Sequence, residues 1–240
     1  MHFPRSSRAW TAAALAAALA IACASTPPAP TPGTGTLYGD LKLVPHAGVT
    51  MPDANDGSYQ DRHMRDARIF DYSQPGFAVV YLDGGARTGE RVEVSIRASQ
   101  VETRLEPAWV ALAAGGTVVV HNTTGEAHTV SCPSLSKVAR LAPGDSLELR
   151  AVLAGANSLF LLDRPQVEAG FFAAPGPYAV LTHDPRFELR DLPPGRFQLH
   201  AWHPRLPPLA RPIDVVAGQT TRVDLELGVG RSQETSDAHP

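Results

Sequence analysis

Beyond residue 36 the apolar residues come in short runs that alternate with polar ones or stand unbroken, and no stretch repeats them at the 3.6-residue spacing of an amphipathic helix. The runs are rich in Val, Leu, Phe and Tyr and are punctuated by Gly and Pro, the pattern of an all-β chain of many short strands. Candidate strands fall at residues 37–44, 77–82, 91–98, 117–122, 146–152, 158–162, 178–182, 186–190, 196–202, 213–216 and 221–227. Asp83-Gly84-Gly85, Ala114-Gly115-Gly116, Pro143-Gly144-Asp145, Pro193-Pro194-Gly195 and Ala217-Gly218-Gln219 supply turn chemistry between most of them. Such a rhythm favours a sandwich or barrel. With 240 residues, 43% of them hydrophobic, the chain can bury one large or two small cores. Residues 45–74 interrupt the alternation as a long polar stretch, and the polar tail 230–240 is expected to be disordered.

The N-terminus reads as an address. Arg5 and Arg8 precede an apolar run, residues 11–21, too short to span a membrane as a stable helix, and Ala22 and Cys23 follow. Residues 1–22 are therefore expected to be a secretory signal. Ala20-Ile21-Ala22-Cys23 resembles a bacterial lipobox, which implies that Cys23 is acylated and becomes the first mature residue. The alternative is an ordinary signal peptide in which Cys23 is incidental. Residues 23–36, rich in Pro and Thr, suit a flexible tether between an anchor and a folded body. The implied location is the bacterial cell envelope, with a lipid anchor in a membrane and the body facing the periplasm or the cell exterior.

Twenty-one basic residues stand against 24 acidic ones, a balance that argues against a nucleic-acid partner. The chain has two cysteines, so lipidation of Cys23 leaves Cys132 without a partner. A lone thiol in an oxidising compartment is either buried and inert or open to metal and oxidant.

The stretch HNTTGEAHTVSC, residues 121–132, gathers His121, His128 and Cys132, ligand types that soft transition metals prefer. Alternation along the preceding strand sends His121 to the face opposite Val120, hence to solvent if Val120 faces the core. Pro107, Val110, Gly115-Gly116, Val118, Asn122 and His128 fall in step with the pattern P…V…GG-V-x-F-x-N…H. On these residues, the region 105–152 resembles the cupredoxins, specifically the plastocyanin-like, methylamine-utilisation-like periplasmic proteins. The resemblance implies a Greek-key β-sandwich and a first copper ligand at His128. Its other three ligands would come from a loop of the form C-D-x-H-P-x-M, and Pro165 sets the register on residues 161–167. There the thiolate position is Leu161, the second histidine Arg164 and the axial methionine Val167. A leucine donates to no metal, and a guanidinium stays protonated and repels a cation. No cofactor is expected; copper held by His128, with Cys132 as a candidate further ligand, is the alternative.

Residues 182–199, with Phe187, Leu189, Pro193-Pro194-Gly195, Phe197 and Leu199, come close to T-D-x-x-G-x-F-x-L-x-x-L-P-P-G-x-Y-x-L, with Arg186 where the pattern has a glycine before its first aromatic. They resemble the carboxypeptidase regulatory-like, transthyretin-like sandwich, which implies a hairpin with those four apolar side chains inward. Residues 39–44 and 77–82 resemble the opening strands of the same sandwich. The expected organisation is thus 37–89 as first strands with a long loop, 90–174 as an inserted cupredoxin-like domain, and 175–229 as the rest of the sandwich. A tandem arrangement is the alternative. The functional expectation is a non-enzymatic binding or assembly module for a protein or carbohydrate, against a copper-binding or electron-transfer protein. No catalytic residue is expected: the chain has no G-x-S-x-G elbow and no H-E-x-x-H motif, although Ser131, Ser134 and His128 are close in sequence.

Overall fold

The computed structural model describes residues 29–45, 72–73, 75–84, 90–99 and 102–228. The segment 1–22, Cys23, most of 45–74 and the tail 230–240 lie outside them. Among the described residues the fold is all-β, with one helical element, a 3-10 turn at Pro133–Leu135. The strands are β1 (Gly35–Val44), β2 (Ala78–Leu82), β3 (Arg91–Ala98), β4 (Thr103–Glu106), β5 (Trp109–Ala113), β6 (Thr117–Asn122), β7 (His128–Cys132), β8 (Lys137–Leu141) and β9 (Ser146–Arg150). They continue as β10 (Gly155–Leu161), β11 (Arg164–Ala174), β12 (Tyr178–Leu181), β13 (Arg186–Leu192), β14 (Gly195–His203), β15 (Leu206–Val215), β16 (Thr220–Arg222) and β17 (Leu225–Gly228).

Pairing divides these strands into two sandwich-like units. In one, β1 runs between β13 and the successive strands β16 and β17, and this sheet faces a second of order β12-β2-β14-β15. In the other, a sheet of order β5-β11-β10-β7-β8 faces one of order β4-β3-β6-β9. The chain therefore leaves the first unit after β2, builds the second from β3 to β11, and returns with β12. Period-two alternation drives each core: Leu37, Leu41 and Leu43 of β1 point inward onto Phe187, Leu189 and Leu199. Gly39 sits where β1 presses on the following chain, because a Cβ there would lie within 2 Å of the Val223 carbonyl oxygen. The second core gathers Val94, Val118, Val120, Val130, Leu159, Leu161 and Phe171.

Two expectations need correction. β13 pairs with β1, whereas β14 pairs with β2 and β15, so Pro193-Pro194 is a corner between sheets and no hairpin. Two successive prolines offer no N–H to a ladder, which suits a corner. Phe187, Leu189 and Leu199 are buried as expected, while Phe197 is half-buried at the rim of the core. Residues 221–227 form two strands, since the path breaks at Val223 and Asp224.

The units meet along an apolar seam. Val79 of β2, Ala111 of β5, and Phe172 and Ala174 of β11 are buried there, and the half-buried Phe77, Tyr81, Tyr178 and Trp202 pack against them. The Phe172 ring lies 4.7 Å from that of Trp202 and 5.1 Å from that of Tyr81, and Trp109 lies 5.2 Å from Trp202. This seam explains the unbroken apolar runs AVVYL and FFAA, because strands buried on both faces lose their polar alternation. Glu90 ties the units at the crossing, where its carboxylate accepts from Ala113 N–H and from the Tyr178 hydroxyl, both at 2.6 Å.

Candidate functional site

The site grows from the end of β6. Asn122 is fully buried there and satisfies its whole amide: Nδ2 donates to the carbonyls of Glu126 (2.7 Å) and Leu141 (3.0 Å), and Oδ1 accepts from Thr124 N–H (3.0 Å) and the Thr124 hydroxyl (2.8 Å). An Asn followed by small polar residues favours such a local turn. It folds the connection back so that His128, which opens β7, points inward with 2% of its surface exposed. Asn122 also holds the turn between β8 and β9, giving its carbonyl to Gly144 N–H and its own N–H to the Asp145 carbonyl.

Both ring nitrogens of His128 have partners. Nδ1 lies 2.7 Å from Asp163 Oδ2, and since a carboxylate only accepts, this nitrogen carries a proton and donates it. Nε2 shares a 3.0 Å hydrogen bond with Thr124 Oγ1. The other Asp163 oxygen accepts from Thr129 N–H at 3.2 Å, which fixes the carboxylate plane. Desolvation pushes the Asp163 carboxyl up, but the hydrogen bonds from His128 and Thr129 outweigh it and hold it below the usual aspartate value.

The segment 161–167 is a tight hairpin. Leu161 pairs with Arg164 across the two-residue turn Leu162-Asp163, and Leu161 also stands opposite Val130 of β7. Leu161 is fully buried in the second core beside Val130, one pleat from His128. Arg164 stays at the rim, with Nη1 3.7 Å from Asp163 Oδ2 and Nη2 3.9 Å from Glu126 Oε2. Val167 lies on β11, where the side chains of residues 165–168 are outside those described.

His128 and Cys132 are not brought together. They sit four residues apart on one strand, which separates their Cα atoms by about 13 Å. Cys132 is buried among the core residues, with its sulfur 3.5 Å from the hydroxyl of Ser134, which in turn donates to Asn157 Oδ1. His121 stands on the outer face, bonded through Nδ1 to Ser146 Oγ at 2.7 Å. Cys23 lies outside the described residues.

Copper is the group that the cupredoxin resemblance implies, and the donors present do not fit it. A type 1 site requires two imidazoles and a thiolate with lone pairs turned to one point. Here one imidazole is engaged at both nitrogens, and in the register that the resemblance implies a buried leucine would take the sulfur position and a guanidinium the second imidazole position. Among the described residues, no group of three His, Cys, Asp or Glu side chains is placed to hold a metal ion.

Asp163, His128 and Thr124 also follow the order carboxylate, imidazole, hydroxyl of a nucleophilic relay. The Thr124 hydroxyl, however, is 9% exposed as a residue and lies within hydrogen-bonding distance of Asn122 Oδ1 and of the Glu126 carbonyl and N–H as well. Its lone pairs and single proton are divided between the turn and the imidazole. Sequence reasoning missed Thr124 and Asp163, since both are ordinary turn residues by type.

No protein-family profile matches the chain, and no curated protein matches it. Among solved structures it is similar to a novel purple cupredoxin from Nitrosopumilus maritimus, at 16% identity and a TM-score of 0.31, over 35% of this chain and 99% of that one. It is also similar to a multicopper oxidase, at 10% identity and a TM-score of 0.25, over 48% of this chain and 83% of that one. The likeness to these copper-protein folds is distant and covers part of the chain.

Proposed function

We propose that this chain is a non-enzymatic, lipid-anchored envelope protein whose residues 90–174 form a Greek-key, cupredoxin-like unit inserted in a carboxypeptidase regulatory-like sandwich. In this reading the unit has lost its type 1 copper site and serves in binding or assembly, with a protein or carbohydrate as partner. One observation carries it: His128, the surviving ligand position, is bonded at both ring nitrogens beside a fully buried Leu161. A buried polar group that already has its partners gains nothing by exchanging them for a metal without a thiolate nearby. Elemental analysis of the chain purified without chelators tests the reading. Substoichiometric copper is expected, and one tightly held copper per chain would replace this function with electron transfer or copper handling.

The anchor is tested separately. Cys23→Ser is expected to leave the membrane fraction or to accumulate unprocessed, because two or three acyl chains hold a protein firmly where none does. A Cys23→Ser chain that stays membrane-bound at its mature mass would show that something other than lipid on Cys23 retains it.

A further inference from the structure

We propose that Asp163 is the residue that keeps metal from His128, by converting a ligand into one member of a metal-free clamp. The inference rests on the register proposed for residues 161–167 and deepens the reading of that same site. In the pattern C-D-x-H-P-x-M, Asp163 falls on the unspecified position, so the resemblance assigns it nothing. The tight turn Leu162-Asp163 nevertheless carries its carboxylate to within 2.7 Å of His128 Nδ1 and 3.2 Å of Thr129 N–H. The far side of the ring reaches Thr124, Thr124 reaches Asn122, and Asn122 reaches the Leu141 carbonyl. One chain of hydrogen bonds thereby joins the β10–β11 turn, the β6–β7 connection and the end of β8. Nδ1 carries the proton it gives to Asp163, and this fixes the ring so that Nε2 is engaged with Thr124, which leaves neither nitrogen with a lone pair turned to an open coordination position. Restoring the lost donors is therefore insufficient while Asp163 remains.

The test compares two chains: Leu161→Cys with Arg164→His, and the same pair with Asp163→Ala. Each is titrated with copper(II), and binding is read by thiolate-to-copper absorption and by competition with a chelator. With Asp163 kept, no intense absorption is expected at one equivalent. With Asp163→Ala, the absorption should appear and the affinity should rise at least tenfold. Equal behaviour of the two chains, whether both bind copper or neither does, overturns the proposal. The single variant Asp163→Ala keeps the question open to measurement if the combined variants fail to fold. The His128 Nδ1 proton should exchange slowly in the unaltered chain and rapidly in Asp163→Ala, and the same exchange rate in both would contradict the clamp. Stoichiometric copper in the unaltered chain would instead overturn the proposed loss of metal, so the two readings fail by different results.

Discussion

Phe172→Ala is expected to destabilise the protein by about 3 to 5 kcal/mol, the range for truncating a buried aromatic ring. Phe172 is 1% exposed and packs between Tyr81 and Trp202, which belong to strands of the other unit. Loss of its ring leaves a cavity lined by side chains that cannot collapse, because two sheets hold them from both sides. Denaturant unfolding should register this as a lower midpoint, and as two separated transitions if the seam alone couples the units. The contrast is Phe197→Ala: its ring is half-buried at a core rim and its loss should cost less. An unfolding curve for Phe172→Ala that overlays the unaltered protein would mean that the seam is open in solution.

The second large effect is acid sensitivity centred on His203. Burial, aided by the nearby Arg205 charge, lowers its pKa from 6.5 to about 4. Its Nδ1 accepts the Arg205 N–H at 3.0 Å, which requires that nitrogen to be unprotonated. Between about pH 6.5 and pH 4 the unfolded chain takes up a proton that the folded chain refuses, so stability falls as pH drops through this window and levels off below it. The displacement corresponds to about 3 kcal/mol across the window. Asp163 has a depressed carboxyl and acts in the same direction at lower pH, as acid protonates it and the His128 bond weakens. Thermal melts from pH 7 to pH 4 should therefore show a slope that His203→Asn flattens, since an amide oxygen can accept the Arg205 N–H without titrating. Parallel slopes for the two proteins would remove His203 from the account.

Strands were legible in the sequence where one face meets water. β1, β3 and β9 alternate along most of their length and stand close to where periodicity puts them. β5 carries no such mark, being a short segment near the seam with three consecutive buried residues. β8 was missed for the opposite reason: it is an edge strand that exposes Lys137, Val138 and Arg140 and resembles a loop. The corner at Pro193-Pro194 looks like a hairpin in sequence because Phe187 with Leu189 and Phe197 with Leu199 have the same spacing on either path. Whether two strands pair or face each other is decided by distant partners, here β1 and β2.

The site was legible to the same partial extent. His128 stood out by type and spacing, and Leu161 and Arg164 by the donors they lack. Asp163 did not, because an aspartate before a strand is explained by turn preference alone. Its second role depends on a contact with a residue 35 positions away, which no local pattern encodes. Thr124 was hidden in the same way, its hydroxyl serving the turn and the imidazole together.

The central claim, a cupredoxin-like scaffold that holds no type 1 copper, meets its most direct test in a copper titration of the unaltered full-length chain, followed by absorption and by thermal melting. A ligand that binds the folded state raises the melting temperature by an amount that grows with the logarithm of its concentration over Kd, so the two readouts check each other. The account predicts no intense thiolate-to-copper band and no rise in Tm at one equivalent. A band that saturates at one copper per chain together with a rise in Tm would contradict it.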